Sequence, residues 1–246
     1  SAASDVYKRQ NNKFILDTSA NYIIQNDKNM VSQGQYFNPL TSLYLFPRGE
    51  DFSDVAVYER YDDLSGVNTQ YWPYGDLGGV SSQNPYWIMN RMNRENDRRR
   101  YKLAASLQYN IIEGLNVQGR VSIDNTESKY TEKFHAGTVG NFAGPKGRYK
   151  EENRLDRQVY ADVLANFNKT FNEFNVTANL GASIKDLRME LTSLHGDLNN
   201  VTNHFTIENL TRSGYYKVNA DGLKRQTQSV FANAEIGWRS FFFLCL

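Results

Sequence analysis

The chain of 246 residues has a single cysteine, Cys245, so no disulfide can form within it. It has only five prolines, and none lies in the alternating stretches described below. No apolar run approaches the roughly 18–20 residues of a membrane-spanning helix. Neither sign of charge dominates: the net charge is +1, which removes any bulk electrostatic argument for nucleic acid. Histidine is scarce, and His135, His195 and His204 show no metal-ligand spacing such as HxxxH or HExxH. There is no GxSxG motif and no phosphate loop. The adjacent acids Asp62-Asp63 and Glu151-Glu152 read as solvated loop residues. No enzyme activity, cofactor or metal is expected.

What the chain does have is aromatic side chains: sixteen Tyr, fourteen Phe and three Trp. Aromatic and β-branched residues favour strands. Hydrophobic residues are 40% and charged residues 22%, so the chain is not compositionally disordered. A mean hydropathy of −0.64 excludes a helical membrane protein. It does not exclude a barrel, in which half of each strand is polar.

The most regular stretch runs from Tyr101 to Asp124. Tyr101, Leu103, Ala105, Leu107 and Tyr109 alternate with Lys102, Ala104, Ser106, Gln108 and Asn110. After Glu113-Gly114, Leu115, Val117, Gly119, Val121 and Ile123 alternate with Asn116, Gln118, Arg120, Ser122 and Asp124. A period of two predicts a hairpin with one apolar and one polar face. The pattern recurs from Val159 to Lys185, around a short turn at 169–173, and again from Val230 to Trp238 before a turn at 238–240. Phe14 to Gln25 reads as an earlier strand. The arginine-rich run 93–100 interleaves Asp and Glu with Arg, so it reads as the solvated upper part of a strand rather than a nucleic-acid patch.

The connections predict the fold. Residues 26–90, 125–156 and 186–227 read as long loops, marked by Asn38-Pro39, Trp72-Pro73-Tyr74-Gly75, Gly78-Gly79 and Gly144-Pro145. They alternate with turns of about five residues. Phe14, Tyr109, Phe167, Phe174, Trp238 and Phe241 fall on the short-turn side of their strands, Tyr22 and Tyr101 on the long-loop side. Two aromatic girdles and this asymmetry predict an all-β, antiparallel, up-and-down transmembrane barrel segment with short periplasmic turns and long extracellular loops. A soluble sandwich would mix loop lengths at both ends. The first ten residues, SAASDVYKRQ, resemble translated sequencing adapter and are set aside, leaving 11–246 as the expected partial barrel. Both ends are expected to be cut, so the lack of a leader segment carries no information on location.

Particular stretches resemble a family. Asn38-Pro-Leu-Thr-Ser-Leu-Tyr-Leu-Phe-Pro-Arg-Gly49 is similar to a segment of SusC/RagA-type TonB-dependent outer-membrane transporters of Bacteroidota. Gln83-Asn-Pro-Tyr-Trp87 with Asn90-Arg91, Leu115-Asn-Val-Gln-Gly-Arg120 and Ser229-Val-Phe-Ala-Asn233 support it. The resemblance implies a plugged barrel of roughly 22 strands that imports oligosaccharides or peptides. It implies a SusD-like surface lipoprotein as lid and the TonB complex as the power source. This chain shows about seven strands, no plug and no TonB box. Competing readings are a non-transporting barrel or surface binding protein, and a soluble carbohydrate-active β protein.

Candidate ligand-binding residues are the loop aromatics Tyr71, Trp72, Tyr74, Tyr86 and Trp87, near Tyr58, Tyr61, Asp62, Asp63, Asn68, Gln70 and Asp76. Flat rings with polar groups beside them suit a glycan or a protein lid; the alternative is that they pack the loop against itself. Arg120, Asp124, Asp162, Asn179, Lys185 and Glu235 are expected to face the lumen or a plug.

Overall fold

The computed structural model describes residues 2–10, 13–30, 36–44, 46–74, 83–211, 216–239 and 241–245; for 2–10, 216–221, 242, 243 and 245 it describes the backbone. In chain order these residues form β1 (Ala2–Gln10), β2 (Phe14–Lys28), α1 (Pro39–Tyr44), a 3-10 turn (Phe52–Ala56), β3 (Glu59–Asp62), β4 (Val67–Gln70) and α2 (Pro85–Arg91). β5 (Met92–Ile112), β6 (Leu115–Phe134), β7 (Arg148–Phe171) and β8 (Phe174–Asp197) follow. A 3-10 turn (Ile207–Asn209), β9 (Tyr216–Trp238) and β10 (Phe242–Cys245) complete the order. One eight-stranded sheet runs β1-β2-β5-β6-β7-β8-β9-β10, and β3-β4 is a separate hairpin. Every neighbouring pair in the large sheet is antiparallel. The sheet is an open up-and-down wall in chain order. The segment set aside at the start of the sequence is its edge strand β1.

Register confirms the period-two faces. Leu103, Ile123 and Val159 are cross-strand neighbours, as are Ala105, Val121, Ala161 and Ile184. Residues directly opposite share a face, so the apolar sets merge into one band across the wall. Its side chains remain uncovered: Leu103 is 46% exposed, Val163 55%, Leu180 59% and Val230 81%. The band's loop-side edge runs through Tyr101, Ile123, Val159, Ile184 and Val230. Ile184 pairs with Ala161 and Val230 with Ala182, so at β8 and β9 the edge steps toward the turns. A band of constant height drawn across tilted strands slants through the ladder in this way.

At the short-turn end, Phe14 stacks on Tyr109 with ring centroids 4.7 Å apart, and Phe174 lies opposite Trp238. At the other edge Tyr22 lies opposite Tyr101. The turns lie side by side, tied by Asn110 N–H to Lys13 O at 2.9 Å, Asn168 N–H to Gly114 O at 2.7 Å and Arg239 N–H to Glu173 O at 2.8 Å. Ser240, expected in the last of these turns, lies outside the described residues.

The strands run farther than the apolar pattern. β5 has 21 residues and β7 and β8 have 24 each, whereas a tilted strand crosses a bilayer with about 9–11. The expected loops 125–156 and 186–227 are therefore shorter. β6 continues to Phe134 and β7 begins at Arg148, while β8 continues to Asp197 and β9 begins at Tyr216. Above the band, residues on both faces of β5, β6 and β7 are mostly polar and β8 carries Leu187, Met189 and Leu191 on the opposite face, so the band stops although the hydrogen-bonded ladder persists. Cross-strand ion pairs continue there: Lys28–Glu95 at 3.4 Å, Lys133–Glu95 at 3.3 Å and Lys129–Glu151 at 3.4 Å. The run 93–100 lies in β5 at this height.

Buried hydrophobic cores form at the loop end. Trp87, Ile88, Met92, Phe134 and Ala143 make one cluster, packed by Phe37, Tyr58 and Phe142. Tyr149, Leu198 and Leu210 make another, packed by Phe205.

Candidate binding surfaces at the loop end and on the polar face

The loop unit is organised by side chains that bond to backbone. Asn84 caps α2, with Pro85 at the first helical position where a missing N–H costs nothing. Its Oδ1 accepts from Tyr86 N at 2.9 Å, and its Nδ2 donates to Val55 O at 2.9 Å and Tyr71 O at 3.1 Å. Its own N–H donates to Gln70 Oε1 at 2.9 Å. One buried asparagine thus joins α2, the 52–56 turn and the segment after β4. Trp87 has no exposed surface, and its Nε1–H donates to Thr138 Oγ1 at 3.1 Å. Arg91 grips Glu59 with two bonds of 2.8 and 2.9 Å, which holds the β3–β4 hairpin to α2. Asn209 plays the same part in 198–211. Its Oδ1 accepts from Asn200 N and Val201 N, and its Nδ2 donates to Val201 O and His204 O.

His135 lies where two loops meet. Its ring stacks edge-on against Phe205 at 4.9 Å, and its Nδ1 is 2.9 Å from Arg91 O. A carbonyl only accepts, so Nδ1 carries the proton. Burial pushes the imidazole pKa below its ordinary value, against the opposing pull of that hydrogen bond.

The candidate aromatics do not form one cluster. Trp72 and Tyr74 gather with Phe46 and Phe52: Trp72 meets Tyr74 edge-on at 5.3 Å, Phe46 meets Tyr74 at 4.8 Å and Phe52 at 5.7 Å. Tyr71 instead carries the Arg60 guanidinium over its ring at 3.3 Å. Tyr86 pairs with Tyr58 at 6.4 Å. Trp87 is core and has no surface to offer a ligand. Asp62 is occupied by its own turn, accepting from Ser65 Oγ at 2.6 Å and Leu64 N at 3.2 Å. Asp76 lies outside the described residues. Tyr61 stands out in solvent, 65% exposed.

All six residues expected on the inner side share the polar face. Arg120 binds the buried Asp162 through Nε at 2.9 Å and Nη2 at 2.7 Å, and Tyr160 donates to the same carboxylate at 2.6 Å. Arg100 grips Asp124 at 2.8 and 2.6 Å. Asn179 donates to Asn233 Oδ1 at 2.8 Å. Lys185 lies opposite Tyr160 and Glu235 opposite Thr177. Toward the loops a cavity of about 740 Å³ opens on this face among Arg94, Arg98, Tyr130, Lys150 and Glu152.

No protein-family model matches the chain, and no curated protein sequence matches it. Solved structures do. The RagAB peptide transporter superposes with a TM-score of 0.67 at 13% identity, over 99% of this chain and 27% of that one. The RagAB peptide importer gives 0.66 in its open-open state and 0.65 in its closed-closed state, both at 14% identity, with 26% and 27% of those chains covered. The fold is that of an antiparallel, up-and-down β-barrel wall.

The short turns and long loops alternate along this wall as the connection lengths predict. The chain spans about a quarter of the length of the transporter chains it matches. Sequence reasoning did not single out Asn84 and Asn209. Their signal was faint: an Asn before Pro85, and an Asn in a loop rich in Asn and Thr.

Proposed function

We propose that this chain is part of the barrel of an outer-membrane, TonB-dependent importer of the SusC type. Such an importer takes up oligosaccharides or peptides beneath a SusD-like surface lipoprotein and is driven by the TonB complex through parts beyond this wall. One observation carries the reading: a single-faced apolar band, uncovered within the chain, spans strands whose short turns gather at one end. In water that band would be a large apolar patch; against lipid tails it is the expected outer surface of a barrel. The superposition on a peptide transporter over 99% of this chain supports the same reading, as do the motifs around Asn38–Gly49. In this reading the turns face the periplasm and the loop unit faces outside. The half-exposed cluster of Trp72 and Tyr74, together with Tyr71 and Tyr86, then meets substrate or lid.

Single cysteines test the orientation in an intact, cell-surface version of the protein. An impermeant maleimide on whole cells is expected to label a cysteine at Asn68 and not one at Lys169. Labelling at Lys169 without labelling at Asn68 would overturn the orientation.

A further inference from the structure

Near the short turns, the apolar band is hollow where it crosses β6 to β9. Two cross-strand rows meet there: Leu115, Phe167, Ala178 and Ala234, and one row nearer the loops Val117, Ala165, Leu180 and Ala232. A groove of about 450 Å³ opens among Phe167, Ala178, Leu180, Ala232 and Ala234. The alanines are its floor. Phe167 and Leu180 are its walls, and Leu180 stands 59% exposed.

The next row toward the turns is Lys169, Val176 and Ile236, about 6.6 Å farther along the strands. The row after it is the aromatic edge of Phe171, Phe174 and Trp238. Lys169 is exposed on the groove's own face, with Nζ 5.6 Å from the centre of the Phe171 ring. Glu113 is exposed in the neighbouring turn. It precedes Gly114, where an added Cβ would lie 3.4 Å from Lys169 Cβ. Among the described residues neither Lys169 nor Glu113 forms an ion pair. The other described charges at this end are matched or remote. Glu173 accepts from Arg239 and from Trp238 Nε1. Lys13 precedes β2, three strands from β7, and Glu235 lies on the polar face opposite Thr177.

We infer that this groove seats one acyl chain of a zwitterionic aminophospholipid, with Lys169 on its phosphate and Glu113 on its ammonium. Three features select that occupant. The groove is apolar and continuous with the uncovered band, so hydrocarbon fills it without desolvating a polar group. The lysine stands one row beyond the groove, at the height where a long side chain reaches from an apolar surface to a lipid head. The head site offers one unmatched cation and one unmatched acid. A head with a phosphate and an amine satisfies both, whereas an anionic head without an amine brings its charge toward Glu113. The inference rests on the membrane reading and deepens it, by naming the lipid class and the place on the wall that holds it.

The test uses the intact barrel, purified in mild detergent, with heat-modifiable migration in gels as the readout of assembly. Native mass spectrometry measures binding of phosphatidylethanolamine and of phosphatidylglycerol with the same acyl chains, and reads the oligomeric state in the same spectra. The parent is expected to bind phosphatidylethanolamine about tenfold more tightly than phosphatidylglycerol. Ala178→Phe, which fills the groove, and Lys169→Gln, which removes the cation, are each expected to weaken phosphatidylethanolamine binding about tenfold. Glu113→Gln is expected to abolish the preference between the two lipids. Ala105→Phe, on the same face but outside the groove, is expected to change neither. Equal binding of the two lipids by the assembled parent overturns the inference. So does phosphatidylethanolamine binding untouched by Ala178→Phe and Lys169→Gln, or an Ala105→Phe loss as large as that of Ala178→Phe. A dimer that Ala178→Phe splits without altering lipid binding assigns the groove to a second copy and also overturns it. Such failures leave the importer reading standing, because membrane orientation is read separately by whole-cell labelling.

Discussion

Asn84 shows how much one short amide can hold at a loop end. Its side chain makes three hydrogen bonds, two of them to the carbonyls of Val55 and Tyr71. Alanine there removes a helix cap and leaves carbonyls without their partner, at a local cost of about 2–4 kcal/mol. Asn84→Ala is expected to raise amide hydrogen exchange through 84–91 while leaving β7 and β8 protected; unchanged exchange in α2 would refute the role. His135 makes a second residue-scale prediction. Its folded pKa is depressed by burial, so the unfolded loop binds the proton more tightly. The stability it contributes is complete above its ordinary value of 6.5. It is lost as pH falls from there toward the folded pKa, by at most about 1.4 kcal/mol per pH unit. Hydrogen exchange in 135–147 should rise on acidification through that window, and His135→Gln should remove its part of the dependence.

At the scale of elements, the loop unit and the wall obey different rules. The wall is held by ladder hydrogen bonds and cross-strand pairs, the loop unit by cores and side-chain-to-backbone bonds. Gly137 is where a loop meets the β3–β4 hairpin. Its φ is +86°, and an added Cβ would sit 2.2 Å from Asn68 O. Both the left-handed backbone and the close approach require glycine. Gly137→Ala is expected to break the Gln70 N–H to Gly137 O bond of 3.1 Å and release the hairpin. Limited proteolysis should then cut within 59–74 while the strands stay intact; resistance equal to the parent would contradict the contact. Alternation made the membrane-height parts of these elements legible. Their tops were not, because above the band ionisable residues crowd β5, β6 and β7 and the apolar residues of β8 (Leu187, Met189 and Leu191) change face, while Glu95 and Lys133 still pair across the ladder.

At the scale of the whole sheet, the described strands do not close on themselves. β9 runs from Tyr216 to Trp238, but β10 pairs with it only along Phe242–Cys245. Much of that edge therefore presents unpaired backbone groups, which invite association in water and are not tolerated in lipid. The apolar band adds exposed Leu180 and Val230. Residues 11–246 expressed alone are expected to be insoluble or aggregated, and neither to insert stably nor to transport. A monodisperse, cooperatively unfolding monomer in sedimentation and thermal melts would sink this expectation and favour a soluble fold with its own core.

The identity, facing and order of the alternating strands β2 and β5 to β9 follow from the sequence by itself, whereas β1, set aside with the first ten residues, and the β3–β4 hairpin inside the expected loop do not. Side chains alternate strictly along a strand, so Leu103 and Lys102 must part company wherever the strand sits. The aromatic girdles follow too, because Phe14 and Tyr109 stand at strand ends by position alone. Register and loop packing were decided only by tertiary structure. Trp87 shows it: in the sequence it is one more loop aromatic, while in the fold Phe134, Thr138 and Ala143 come from a distant segment to pack against it or bond to it. The row of Asn110, Asn116, Asn166, Asn179 and Asn233, cross-strand partners on the polar face, is likewise invisible along the chain, since neighbours in it are up to 54 positions apart. Cross-strand pairing sets side by side what the sequence keeps apart, and that pairing depends on turn geometry and ladder register rather than on any local pattern.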